Sequence, residues 1–315
     1  MIERAEPENT IRPRESDKAE LYLKMIGEIF NISDIIEGPQ EEPQVVNYYL
    51  MNKLTFRFLV SWGGFIHSGI TYDGSYKRDD LKEPARIVER YIHEMDAKSV
   101  LELAFGLGSN SAFLARRNSS VTFEAIDLAN KPLKSFSKIH NLRFHSGDYH
   151  DLSRFEDTAF DLAFIIESLC YSKNKLRFLR EVKKKLKTNG LLIIFDGYET
   201  NDARPYSQSE DIVGQLVTKG MAVDLFERLG DVEGYMRQEF SIEVSKDISA
   251  YVLPYWESAE ATVRRFYFEH PVFAKTVNKI LPPSVARNLL APLLVAPTLR
   301  RRASCYYLHV LRNDR

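Results

Sequence analysis

The sequence predicts an α/β protein whose sheet is mainly parallel with an antiparallel end. Three observations carry this. Apolar strand patterns alternate with helical ones from Ser99 to Phe195, as parallel strands joined by crossover helices require. The stretch VLELAFGLGSNSAFLA at 100–115 puts an apolar strand, a turn with two glycines and a helix in succession. A turn that keeps its side chains small lets a ligand approach the backbone. Two later strand patterns, at 239–245 and 304–311, bracket a long helical stretch.

Taken in order, 1–16 is charged, carries Pro7 and Pro13, and reads as a disordered tail. Asp17 with Glu20 suits a capping box for a helix whose apolar face runs Leu21, Met25, Ile29 and Phe30. Gly38 and Pro39 end that unit. A second helical stretch covers 45–60, and a glycine-rich aromatic loop follows at 61–69. Pro84 belongs in the first turn of a helix whose face is Ile87, Val88, Tyr91, Ile92 and Met95. Residues 17–97 thus form a helical N-terminal lid region ahead of the domain at 98–315. Within that domain the predicted strands are 99–103, 121–126, 142–145, 162–166 and 191–195, and the predicted helices are 111–117, 131–139 and 176–186. Asn189-Gly190 is expected to close the last helix. Cap insertions are expected at about 201–236 and 250–303.

Composition narrows the classes. The 315 residues are 44% hydrophobic and 28% charged, ordinary for a soluble globular protein. A net charge of −1 argues against a chain built chiefly to neutralise phosphates. Cys170 and Cys305 are the only cysteines, so neither a disulfide framework nor a zinc cluster is expected, and a reducing compartment fits. The first residues lack the apolar core of a secretion signal, and no uncharged apolar run reaches the roughly 20 residues that span a bilayer. The expected location is cytoplasmic.

Glu102 stands inside the apolar run 100–104, where a carboxylate is costly without a partner. With Ala104, Gly106 and Gly108 it forms an acid, small residue, Gly-x-Gly pattern. Asp127 ends the second strand about twenty residues later, Gly147-Asp148-Tyr149 follows the third, Phe160-Asp161-Leu162 opens the fourth and Glu167-Ser168 closes it. On these residues 98–197 resembles the core of the class I S-adenosylmethionine-dependent methyltransferases. That resemblance implies a seven-stranded mixed sheet with helices on both faces. It also implies a cofactor, S-adenosylmethionine, held by Glu102, Ala104, Gly106, Gly108, Asn110, Asp127, Leu128, Asp148, Tyr149 and Glu167. Glu102 would meet the amino acid portion, Asp127 the ribose hydroxyls, and Asp148 with an aromatic neighbour the adenine. Ala104 departs from the family, which usually has glycine there. A nicotinamide-binding domain is the competitor, but it wants G-x-G-x-x-G and Ser111 stands where its last glycine would be.

The acceptor follows by exclusion. After the fourth strand the sequence reads Ile166-Glu167-Ser168-Leu169-Cys170-Tyr171, without the Asn/Asp-Pro-Pro-aromatic motif of enzymes that methylate flipped bases. No nucleic acid partner is expected. Asp161 and Asp196 do not supply the acid cluster of the metal-dependent catechol-type enzymes, so no metal is expected either. The stretch 48–74, with Trp62 and His67-Ser68-Gly69, resembles the leading segment of sterol, tocopherol and related small-molecule methyltransferases. A hydrophobic small molecule or lipid-like acceptor is therefore expected, with Glu167, His67 and Tyr72 as candidate bases and Glu167 preferred. Aromatic faces such as Trp62, Tyr171 and Trp256 would stabilise a developing cation if the acceptor is an alkene. His140, His145 and His150 have no ligand spacing. The apolar run 289–297 followed by Arg300-Arg301-Arg302 reads first as a packed cap helix; peripheral membrane contact through 289–302 is the alternative. The rival to an enzyme is a catalytically silent cofactor-binding protein of the same fold that acts through its cap.

Overall fold

A computed structural model describes residues 16–38, 63–128, 132–201, 207–280 and 283–314. Seven strands form one sheet: β1 (Ser99–Leu103), β2 (Thr122–Asp127), β3 (Leu142–Ser146), β4 (Phe160–Ile166), β5 (Leu186–Glu199), β6 (Ser241–Asp247) and β7 (Ser304–Arg312). Their order is β3-β2-β1-β4-β5-β7-β6. The first five run parallel, and β7 inserts antiparallel between β5 and β6. All seven expected strands are present, with ends shifted by a few residues.

Strand period decides which side chains serve which face. Val100, Phe123, Leu162, Phe164, Ile193 and Phe195 join one apolar cluster, while their neighbours Leu101, Leu103, Ile126, Ala163, Ile165, Leu192 and Ile194 join another. The first face carries α3 (Glu83–Glu94) and α4 (Ser109–Arg117), and its apolar cluster continues through the cap to the N-terminal helices α1 (Ser16–Gly27) and α2 (Ile32–Glu37). The second carries α5 (Lys175–Lys185), followed by α6 (Gln208–Met221) in the cap and α7 (Leu229–Glu239) back on this face. The expected face of α3 is the one that packs, with Ile87, Val88 and Ile92 buried. In β6 exposed residues alternate with half-buried ones, as suits an edge strand.

Three local expectations are corrected. Helix α1 buries Ala19, Tyr22 and Ile26 and leaves Leu21 exposed, because its partners are cap helices rather than the sheet. The expected helix at 131–139 is a run of turns over its described residues: Phe136 and Ile139 donate only to the carbonyls three residues back. Asn189-Gly190 does not stop a helix. Helix α5 ends at Lys185, β5 begins at once, and Asn189 at φ 62° makes a bulge that shifts the register against β4 between Phe160 and Leu162. The expected tail, the helix at 45–60 and Trp62 lie outside the described residues.

A cap covers the carboxyl edge of the sheet. It comprises α6, α8 (Ser249–Val263), a wider turn at Arg264–Phe268, α9 (Pro271–Asn278), α10 (Pro283–Arg287) and α11 (Leu290–Arg300). Helix α11 is buried from Leu290 to Leu299, packed between α6 and α8, so the arginine-flanked run is core and not a lipid-contacting surface. Helices α1 and α2 pack on α6, and Tyr22 donates its hydroxyl to Glu260 on α8. Among the described residues no helix is long and apolar enough to cross a membrane.

The turn between β1 and α4 holds Ala104 at φ 61°, Gly106 at φ 58° and Gly108 at φ 82°. At Gly108 a side chain is excluded by contact as well as by backbone angle, since a Cβ would sit 2.6 Å from Phe144. At Ala104 the left-handed conformation is borne by an L-residue, at a cost that glycine would avoid. Ala104→Gly is expected to raise unfolding stability by about 0.5–1 kcal/mol in denaturant titrations, the relief of strain being partly offset by the freer unfolded chain.

Candidate active site

The β1–α4 turn and the ends of β2 and β3 form an open edge. Asp127 ends β2 with Oδ2 accepting the Gly106 N–H at 2.9 Å, so its carboxylate is fixed against the glycine turn. Beside it Leu128 is 58% exposed, an apolar side chain held in solvent at the same edge. Asp148 follows β3 with an exposed carboxylate, whose Oδ1 accepts from the backbone N–H of His150 at 2.8 Å and lies 2.8 Å from its ring Nδ1. The His150 Nε2 lies 2.7 Å from the Ser172 hydroxyl. Tyr149 packs edge-on against Phe178 and donates to the Ser168 carbonyl at 3.2 Å. Burial raises its phenol well above the usual range.

Glu102 lies beneath this edge, almost wholly buried. Its carboxylate accepts the Ser111 N–H at 3.1 Å, the Ser111 hydroxyl, and the Asn110 amide at 3.4 Å. It thus satisfies donors at the amino end of α4, where a negative charge is favoured. Burial nevertheless pushes its pKa up to about 7.

The segment 63–71 straps over the turn. Ser109 donates its hydroxyl to the Gly63 carbonyl at 2.8 Å, and a Cβ on Gly64 would meet that hydroxyl at 2.5 Å. His67 is buried, with Nδ1 3.0 Å from the Ser68 carbonyl and Nε2 3.1 Å from Asn110 Oδ1. The Ser68 N–H donates to Glu167 Oε1 at 2.7 Å, and the Thr71 N–H to the Tyr251 carbonyl at 2.8 Å. The Ser68 hydroxyl is buried without a partner among the described residues, an unmet polar group at the underside of the strap.

From Ile66, His67 and Glu167 a cavity of about 970 Å³ extends between the sheet edge and the cap. Its walls include Val217, Tyr255, Trp256, Pro292 and Val295, and they are mostly apolar. At its sheet end stand three acids, Glu167, Asp196 and Glu199. Glu167 sits at the tip of β4 at φ 49°, where Oε1 also accepts the Tyr306 hydroxyl at 2.8 Å. No described residue bonds its Oε2. Asp196, one residue beyond the apolar run of β5, accepts the N–H groups of Cys170 at 3.0 Å and Gly197 at 2.8 Å. Burial pushes its pKa up to about 6.

The structure therefore brings Glu167 and His67 to the cavity, with Gly106, Asn110, Asp127, Leu128 and Asp148 along the adjoining edge. Tyr72 is corrected: it does not line the cavity, because its hydroxyl is turned to Glu83 at 3.2 Å and its ring packs on Tyr251. Burial raises its pKa to about 12, which removes it further from a role as base. Peripheral contact through 289–302 is corrected with it, for the packing reason given above. Tyr306 was not read as part of the site, and Asp196 and His150 were named without a place in it. An acid closing an apolar strand was a usable signal for Asp196. Tyr306 carried none, since its position follows from antiparallel pairing opposite Gly197.

The sheet order, the glycine turn and the acids at successive strand ends define the class I methyltransferase fold. Residues 101–194 match the model of a methyltransferase domain family. The chain is 34% identical over 113 residues to phthiotriol/phenolphthiotriol dimycocerosates methyltransferase 1 of Mycobacterium ulcerans, covering 35% of this chain and 41% of that protein. It is 31% identical over 126 residues to demethylmenaquinone methyltransferase of Thermotoga maritima, covering 40% and 54%. The matched segments thus span about half or less of these relatives. Among solved structures, geranyl diphosphate C-methyltransferase from Streptomyces coelicolor A3(2), in complex with Mg2+, geranyl diphosphate and S-adenosyl-L-homocysteine, superposes with a TM-score of 0.55. That match has 12% identity and covers 84% of this chain and 98% of that one.

A carboxyl whose folded pKa lies above its unfolded value binds extra protons in the native state, so stability falls as pH rises between the two values. For Glu102 that window runs from about 4.5 to about 7, and for Asp196 from about 3.8 to about 6. Melting temperature should therefore decline from pH 4.5 to pH 7 through these groups, and Glu102→Gln should flatten the part above pH 6. A Glu102→Gln profile parallel to the parent's would rule out Glu102 as the titrating group.

Proposed function

We propose that this protein is an S-adenosylmethionine-dependent methyltransferase acting on a hydrophobic small-molecule or lipid-like acceptor. One observation carries the reading: the open edge bearing Gly106, Asp127, Leu128 and Asp148 adjoins a large apolar cavity, and Glu167 stands where the two meet. The unmet Ser68 hydroxyl and the exposed Leu128 support a bound group at that edge. Relatives whose names specify phthiotriol and demethylmenaquinone acceptors support the apolar substrate class. Neither cysteine is in a disulfide, which suits the cytoplasm.

Asp127 would hold the ribose hydroxyls, Leu128, Asp148 and Tyr149 the adenine, and the Gly106 backbone with Asn110 the amino acid portion. Glu102 contributes by fixing Ser111 and Asn110. Bound S-adenosylmethionine supplies a methyl group already activated on a sulfonium, so alignment is the larger part of the task. The strap at 63–71 shields the edge from water. Tyr306 and the Ser68 N–H pin one oxygen of Glu167, leaving Oε2 to take a proton from the acceptor. Tyr171 and Trp256 line the cavity, and their aromatic rings would stabilise developing positive charge there.

Calorimetry should show binding of S-adenosylmethionine and its demethylated product. Asp127→Ala should weaken both by roughly 10- to 100-fold, the loss of charge-assisted hydrogen bonds. Binding of neither compound to the parent chain would overturn the reading. With prenylated quinone or long-chain alcohol acceptors and labelled methyl donor, Glu167→Gln should lower kcat by about 100-fold or more with little change in cofactor affinity. An unchanged kcat would remove Glu167 as the base.

A further inference from the structure

We propose that the cavity mouth formed by residues 264–280 docks onto an anionic lipid bilayer, turning the cavity toward the membrane surface. Four large apolar side chains stand in solvent here: Phe266 at 65% exposure, Phe273 at 57%, Val272 at 80% and Ile280 at 81%. Phe266, Phe273 and Val277 also line the cavity, so the patch is the rim of the opening. Isolated exposed apolar residues need no explanation, but several around one cavity mouth mark a contact surface.

The charge selects the partner. Residues 264–280 contain four basic side chains and one acid, in a chain of net charge −1. Arg264 pairs with that acid, Glu269, and Arg265 lies over the Phe266 ring at 5.6 Å. The side-chain ammonium groups of Lys275 and Lys279 form no hydrogen bond or ion pair with any described residue, and both residues are exposed, as are Val272 and Ile280. Apolar side chains interleaved with unpaired ammonium groups match the boundary between acyl chains and anionic headgroups. A neutral apolar partner would leave those lysines uncompensated.

The patch is held in shape from below. Tyr267, Phe268 and Ala274 are buried, and Tyr267 donates its hydroxyl to Asn278 on α9. The wider turn at Arg264–Phe268 places Phe266 outward while the next two residues, Tyr267 and Phe268, are buried. Exposed and buried side chains therefore separate cleanly across a short segment.

The test is cosedimentation of the full chain, without added cofactor, on vesicles of phosphatidylcholine with or without phosphatidylglycerol. Binding to the anionic vesicles, reversed by salt, and little binding to pure phosphatidylcholine are expected. Lys275→Ala with Lys279→Ala should weaken the partition about 25-fold, at roughly a factor of five per lysine. Val272→Ser with Ile280→Ser should weaken it at least about tenfold. Circular dichroism and Tm should stay at parental values for both pairs, since all four side chains are exposed. Equal binding to the two vesicle types, no binding to either, or parental binding by both variants would overturn the proposal. The readout is independent of methyl transfer, so it stands or falls apart from the enzymatic assignment.

Discussion

The double hydrogen bond to Glu167 Oε1 organises the active region. One donor is the Ser68 N–H from the strap, the other the Tyr306 hydroxyl from the last strand. A single carboxylate oxygen at the tip of β4 thereby joins three parts of the chain that are far apart in sequence. The backbone pays for this placement, since Glu167 takes a left-handed φ of 49° that disfavours a side chain of its size. Such strain persists only where surrounding contacts over-determine it. Here the Glu167 N–H bond to the Phe195 carbonyl and the two side-chain bonds supply that determination.

The acids of the region divide by environment. Glu102 and Asp196 are buried, each occupied by nearby N–H donors, and desolvation raises both. Asp127 is also buried, with one oxygen on the Gly106 N–H of the glycine turn, and Asp148 alone is exposed, bonded to His150. Glu102 and Asp196 hold a helix end and a loop in position through those bonds, and Asp127 fixes the glycine turn. This division explains why a carboxylate inside the apolar β1 strand is tolerated: α4 begins with the donors it requires.

Much of this was legible before any coordinates. Short apolar runs identified the strands because a parallel sheet covered on both faces demands continuous apolar segments. The acids closing them stood out against that background, as did the glycines of the β1–α4 turn. Less legible were features set by partners distant in sequence. Leu21 and Tyr22 are equally apolar to a helical reading, and only the position of α6 and α11 makes one exposed and the other buried. Asn189-Gly190 has the composition of a helix stop, yet pairing with β4 and β7 turns it into a strand bulge.

By itself the sequence determined the sheet, its antiparallel end and the acids along its carboxyl edge, because strand period and turn chemistry are local properties of the chain. The tertiary structure alone decided the rest. It made 290–299 a buried core helix and left 264–280 as the exposed rim, since burial depends on which apolar faces meet. It also removed Tyr72 from the cavity and brought in Tyr306, because antiparallel register and loop packing carry side chains across more than a hundred residues of separation.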